Sequence, residues 1–190
     1  MQHELSLEGR RFALRPVRRG DAAFIVALRR DPELGRYLHP TPPRVEDQEA
    51  WLDAYAARPG DYYFVVEDRV LGEPVGLIAL YDVDETAKTG EWGRWLIRRG
   101  SLAAVESALL IYRAAFERLA LDTVYCRTVA DNAPVVSFHD SSGAERLGVL
   151  RGHVVLAGRA HDAIEHRVTR PLWEEIRPRL EALARRLGQK

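Results

Sequence analysis

The chain has 190 residues, with 28 basic side chains balanced by 28 acidic ones and 46% hydrophobic residues. That length predicts one domain over residues 1–190, large enough to bury roughly 70% of its unfolded surface without a metal or disulfide staple, and zero net charge excludes nucleic-acid binding of the kind that rests on basic excess. No apolar run nears the ~20 residues of a membrane span, the start Met1-Gln2-His3-Glu4 is not a basic-then-apolar signal segment, and the lone Cys126 suits a reducing compartment, so the expected location is the cytoplasm and no membrane partner is expected.

In chain order, residues 11–16 alternate and end at Pro16, as a first strand does. Asp21 is placed to cap a helix running to Arg30, with Phe24, Ile25 and Leu28 on one face. Four prolines (Pro32, Pro40, Pro42 and Pro43) make residues 31–44 irregular. A second helix over 45–58 stops at Pro59-Gly60. Strands over 62–67 and 74–82 form a hairpin around Leu71-Gly72, and 89–97 is the next strand. Residues 102–120 carry a helical stripe of Val105, Leu109, Tyr112, Phe116 and Leu119. A buried strand over 123–129 follows, then a short helix over 133–141 stopped by Gly143. Strands over 144–156 and 163–169 precede a C-terminal helix opened by Pro171, which Pro178 is expected to kink or split. The strand–helix–strand unit from Thr89 to Val129 is a candidate right-handed crossover joining a parallel pair.

The chemistry concentrates in two segments. Glu91 to Ser101 is a strand running through the basic turn Arg98-Arg99-Gly100-Ser101 into the strongest helix. A helix start offers free N–H groups and a positive dipole end, which suit a phosphate. Alone, the same turn reads as a plain connection with Ser101 as cap and two solvated arginines. The second segment, Ala130-Asp131-Asn132 followed by Phe138-His139 and Gly143-Ala144, lies after a strand and on a short helix.

Together, over about residues 5–170, these segments resemble the GNAT superfamily of N-acetyltransferases. Leu7-Glu8-Gly9-Arg10, Leu14-Arg15-Pro16 and Asp21 resemble its subgroup containing ribosomal-protein N-terminal acetyltransferases, and Glu91 to Gly143 is similar to a branch near amino-sugar N-acetyltransferases. The resemblance implies an α/β (α+β) fold: a mixed, mostly antiparallel central sheet, splayed at one parallel strand pair, with helices on both faces. It implies acetyl-CoA as cosubstrate and no metal. Trp95 and Ile97 would pair with pantetheine, Arg98, Arg99, Gly100, Ser101, Leu102 and Ala103 would cradle the pyrophosphate, and Asn132 would complete the cofactor site. Two positions depart from the family's pattern: Leu102 stands where a second small residue is usual, and His139 where the family has Tyr.

That Tyr commonly protonates the departing thiolate. His139 does so only as an imidazolium, and an unperturbed histidine of pKa ~6.5 is about one quarter protonated at pH 7; the other reading is a ring packed beneath the cofactor. Asp140, adjacent in sequence, would raise its pKa only if it pointed back. Glu91 is the candidate base or water relay for the amine, while Asp82 and Asp84 are candidates for contacting the cationic amine or are solvated turn residues. His161, Asp162, Glu165 and His166 resemble a metal cluster, but strand alternation puts His161 and Glu165 on one face and Asp162 and His166 on the other. Cys126 reads as core, and Trp92 and Trp95, three apart on a strand, are expected on opposite faces. The expected acceptor is a primary amine of a small molecule, an amino sugar or its nucleotide being favoured. A peptide N-terminus is the alternative, a non-catalytic acyl-CoA-binding domain is the reading from another class, and either a monomer or a homodimer fits.

Overall fold

The computed structural model describes residues 3–188. Eight strands form one sheet: β1 (Leu7–Glu8), β2 (Phe12–Pro16), β3 (Tyr62–Asp68), β4 (Glu73–Asp84), β5 (Thr89–Ile97), β6 (Thr123–Val129), β7 (Glu145–Leu156) and β8 (Arg159–Thr169). Their spatial order is β1-β2-β3-β4-β5-β6-β8-β7. All neighbours are antiparallel except β5 and β6. Five helices accompany them: α1 (Ala22–Arg29), α2 (Val45–Tyr55), α3 (Ala103–Arg113), α4 (Ala133–Ser142) and α5 (Arg170–Leu187). The mixed, mostly antiparallel architecture expected from the sequence is the one observed.

The central strands are apolar on both faces because each face is covered. In β3, Phe64 and Val66 join the cluster under α3 and α5, while Tyr63 and Val65 join the cluster under α1 and α2. In β4, Ile78 and Leu80 face the first cluster, Leu77 and Ala79 the second. This is period-two alternation between two helical layers.

The parallel pair is short. Only Thr89, Gly90 and Glu91 of β5 pair with Thr123, Val124 and Tyr125 of β6. Beyond Glu91 the strands diverge, and the rest of β5 keeps β4 alone as its partner. Arg94, at φ 50°, makes a bulge there: Ala79 faces Gly93 and Leu77 faces Leu96, leaving one extra residue on β5. A bulge reverses the alternation beyond it. It therefore corrects the expectation for the tryptophans. Trp92 and Trp95 lie on the same face, their rings 5.4 Å apart and edge to face.

Other local expectations are corrected too. Asp21 does precede α1, but its carboxylate makes no cap; it forks onto the Arg15 guanidinium at 2.7 and 2.8 Å and accepts the Arg18 amide. The helix expected over 102–120 is regular only through Arg113, after which residues Ala114–Arg118 form a wider turn that keeps Phe116 buried. Pro178 does not split α5, which is continuous from Arg170 to Leu187. The short strand β1 and the β8 residues before Ala163 were not legible, since neither alternates between apolar and polar side chains.

Candidate functional site

Where β5 and β6 diverge, two cavities meet. The larger, about 780 Å³, lies between the free end of β5 (Trp95, Leu96, Ile97), the start of α3 (Ala104) and α4 (Pro134, Val135, Phe138). The smaller, about 360 Å³, contains Tyr81, Glu91, Arg127 and His139. Trp95, Asn132, Val135 and Tyr37 border both. Tyr37 comes from the proline-rich segment and reaches across the divergence, its hydroxyl donating to the Asp131 carbonyl at 2.9 Å.

The basic turn closes one end of the larger cavity. The Arg98 amide still bonds Val75 of β4, and the Ser101 amide turns back to the Arg98 carbonyl at 3.1 Å. Gly100 sits at φ +80° with nothing within 4 Å of the position a Cβ would take, so the space beside its Cα is open. Leu102 is the residue before α3, while the Ser101 hydroxyl accepts the Ala103 amide at 3.3 Å. The two arginines point apart. Arg98 leans over the Phe24 ring toward Glu73. Arg99 borders the large cavity and is held by Glu33 at 2.7 Å and Asp31 at 3.5 Å. Asn132 precedes α4 without a side-chain cap, its carbonyl accepting from the amides of Val135 and Val136.

Glu91 is 9% exposed and both its oxygens have partners. The Tyr81 hydroxyl donates to one at 2.9 Å, and Arg127 pairs with the other. Arg127 is shared with Glu165 at 2.9 Å. Burial, then the Glu91 charge, pushes the Tyr81 phenol well above its ordinary range, so it remains a neutral donor. Arg94 packs 4.6 Å from the Tyr81 ring centroid and forks onto Asp61 at 2.7 and 3.0 Å. Asp82 and Asp84 are not brought to this site: Asp84 accepts the amides of Thr86 and Ala87 in its own turn, and neither carboxylate borders the cavity.

His139 is 2% exposed, its ring 5.1 Å from Trp92 and 5.1 Å from His166. Asp140 points away from it and meets His166 Nε2 at 2.9 Å. Burial first, and the His166 charge second, push the His139 pKa down to about 3 against the opposing pull of Asp140. The ring is therefore neutral at neutral pH. The folded pKa is depressed below the unfolded value of ~6.5, so protons favour the unfolded chain. This stability is present above pH 6.5 and is lost as pH falls toward 3; at pH 5 the loss is about 2 kcal/mol. His139→Phe is expected to flatten the decline in urea-unfolding free energy between pH 7 and 5 by that amount, and an unchanged slope would count against the buried neutral ring.

The four residues resembling a metal cluster go to separate partners: Asp162 to Arg151 and the Gly152 amide, Glu165 to Arg127, His166 to Asp140, and His161 toward Asp131 at 3.9 Å. Cys126 is free and buried. Sequence reasoning missed Tyr37, Tyr81, Arg94 and Arg127. Arg127 had a signal, a cation inside the apolar run Thr123–Val129, two residues beyond the position opposite Glu91. Tyr37 had none, because an irregular segment carries no period. Among the described residues no helix is long and apolar enough to cross a membrane.

Residues 11–145 match the family model described as an acetyltransferase (GNAT) domain. A nucleotide-linked sugar GNAT, FdhC, is 27% identical with a TM-score of 0.78, covering 93% of this chain and 97% of that one. A GCN5-related N-acetyltransferase from Brucella melitensis shares the fold at a TM-score of 0.84 and 24% identity, over 96% of this chain and 86% of its own. A spermidine N-acetyltransferase mutant from Vibrio cholerae shares it at a TM-score of 0.73 and 20% identity, over 84% of this chain and 94% of its own. No curated protein matches the chain in sequence.

Proposed function

Because this chain belongs to the acetyltransferase (GNAT) domain family, we propose that it moves the acetyl group of acetyl-CoA onto a primary amine of a small molecule, an amino sugar or its nucleotide being favoured. The observation that carries this reading is the meeting of the two cavities at Trp95, Asn132 and Val135. A pantetheine arm lying along the unpaired edge of β5 would bring its thioester to the cavity that holds Glu91. Pairing with Trp95 and Ile97 would add a pseudo-strand to an open edge.

In this proposal Gly100 and Leu102 present their amides to the pyrophosphate, Ser101 and Ala103 line the same turn with amides that in the free protein meet the Arg98 carbonyl and the Ser101 hydroxyl, and Arg99, and more weakly Arg98, add charge. The amine enters beside Glu91, which takes its proton directly or through water. It then attacks the thioester carbon. The C–N bond forms, the carbonyl electrons move onto oxygen, and backbone N–H groups near the Arg94 bulge stabilise that oxyanion. Collapse breaks the C–S bond and releases CoA thiolate, and the proton still carried by the nitrogen passes through water to solvent, leaving the neutral amide. A thiol of pKa ~8.5 leaves with a small penalty unprotonated, so the neutral His139 ring serves as a hydrogen-bond neighbour of the sulfur and not as an imidazolium acid. Most of the rate comes from holding amine and thioester together.

The acceptor cavity, about 360 Å³ and lined by Leu38, His39 and His153 to Val155 of β7 among others, is of a size that favours a small molecule over a peptide N-terminus. Free Cys126 supports a cytoplasmic setting.

Acetyl-CoA is expected to raise the melting temperature by mass action, since it binds the native state alone. Release of free thiol across a panel of amino sugars, their nucleotides, amino acids, peptides and polyamines then identifies the acceptor. No thermal shift and no calorimetric binding at millimolar acetyl-CoA would sink the proposal. His139→Phe is expected to lower turnover by up to ~10-fold, the scale of losing one neutral hydrogen bond to the departing sulfur, with CoA affinity little changed; an unchanged turnover would leave His139 a packing residue.

A further inference from the structure

Beside the acceptor cavity lies another of about 350 Å³, which shares His39 and Arg94 with it. Its walls come from the end of α1, the segment 39–42, α2 and β3. Three guanidiniums border it, Arg29, Arg58 and Arg94, against a single carboxylate, Asp47. Arg94 is neutralised by its fork onto Asp61. The other two are not so engaged. Arg29 is fixed by the Thr41 hydroxyl at 2.7 Å and the His39 carbonyl at 3.2 Å. Arg58 lies over the Trp51 ring, 5.2 Å from its centroid, and Trp51 is itself stacked on Tyr55 at 5.3 Å. Among the described residues neither Arg29 nor Arg58 forms an ion pair.

A further group in this wall is unsatisfied. Tyr63 is 1% exposed, and its hydroxyl, approached by the Arg29 guanidinium, finds no acceptor for its own proton among the described residues. The Arg29 charge is close enough to favour the phenolate, although burial dominates and raises the phenol's pKa. Buried hydroxyl donors without acceptors are uncommon, because each costs its desolvation free energy. Two guanidiniums without carboxylates and one idle hydroxyl are donors in search of acceptors. A group with several acceptor oxygens and negative charge satisfies them together, and guanidinium is the side chain best shaped to hold it.

We propose that this cavity is an oxyanion subsite for the acceptor, in which Arg29, Arg58 and the Tyr63 hydroxyl hold a phosphate carried by the same molecule whose amine lies beside Glu91. The inference rests on the reading of the neighbouring cavity as the acceptor site. It narrows the acceptor class to phosphorylated or nucleotide-linked amines and disfavours polyamines, whose distal charge would meet Arg58. The Trp51 ring acts as a platform, since a cation held over an aromatic face is positioned without being neutralised.

The test uses the full chain saturated with CoA, so that the pyrophosphate turn is already occupied. Binding of inorganic phosphate and of UDP is measured by calorimetry for the wild type, Arg58→Ala, Arg58→Lys and Arg29→Gln. Both anions are expected to bind, with affinity falling as salt rises. Arg58→Ala should weaken them about tenfold or more, as the loss of a hydrogen bond to a charged group does, and Arg58→Lys should restore part of it. UDP binding much more tightly than phosphate supports a nucleotide-linked acceptor; equal binding supports a simple phosphate ester. Arg58 is exposed, so its variants test the proposal even if Arg29→Gln fails to fold. Binding of neither anion, or binding indifferent to both Arg58→Ala and Arg29→Gln, overturns the subsite. If CoA itself fails to bind, the acetyl-transfer reading falls; if acetyl-CoA is turned over on amines while neither anion binds, only the subsite falls.

Discussion

Glu91→Gln is expected to lower kcat about 100-fold or more at pH 7, within the range for loss of a general base, with little change in acetyl-CoA affinity. The substitution keeps the shape of the side chain, and the Tyr81 hydroxyl can still donate to the amide oxygen. Arg127 keeps Glu165 at 2.9 Å, so the local ion pairing is reduced but not abolished. The pH dependence separates a chemical role from a structural one. Only the neutral amine attacks, and an amine of pKa ~10.4 is about 0.04% neutral at pH 7, one of ~7.8 more than a tenth. A variant without the base should therefore regain activity tenfold per pH unit until the acceptor amine is neutral, while the wild type rises less steeply. Profiles of kcat/KM between pH 6 and 10 that run parallel, whatever their offset, would return Glu91 to a purely structural role in the Tyr81–Glu91–Arg127 chain.

Gly100→Val is expected to raise the KM for acetyl-CoA about tenfold or more, the scale set by losing hydrogen bonds to a charged group. Two effects must be separated. At φ +80° any L side chain is strained, a β-branched one by on the order of 1–2 kcal/mol, so the variant should melt earlier. Nothing in the free protein lies within 4 Å of the new Cβ, so no clash at that atom adds to the strain. A phosphate seated on the turn amides would, however, meet the new side chain. Comparison with a pantetheine thioester lacking phosphates is decisive. The folded variant should lose affinity for acetyl-CoA and keep it for the short thioester; equal loss on both would show that the turn does not read pyrophosphate. Arg99→Ala should have a smaller, salt-dependent effect, because the arginine exchanges Glu33 and Asp31 for the ligand and exposed charges are screened over about 8 Å. Arg98→Ala should matter less, since its guanidinium lies toward Glu73, away from the large cavity.

The amino-acid sequence by itself determined the elements whose residues carry a period. Strands β5 and β6, helix α3 to Arg113, the left-handed stop of α4 at Gly143 and the burial of Cys126 all follow from local alternation, helical stripes and turn residues, which act between neighbours in the chain. The resemblance carried by Glu91 to Gly143 extended this to the family and to the splayed parallel pair. Only the tertiary structure decided which side chains meet. The bulge at Arg94 turned Trp92 and Trp95 to one face, because a single residue at φ 50° shifts the register of everything after it. The ionisation of His139 was set first by its burial and then by His166, twenty-seven positions away in sequence and 5.1 Å away in space, with an opposing pull from an Asp140 that faces the other ring. Tyr81 and Arg127 reached Glu91 from two other strands. Such pairings depend on how the sheet twists and where its strands part, and Coulomb and desolvation energies act across those distances in space, whatever the separation along the chain.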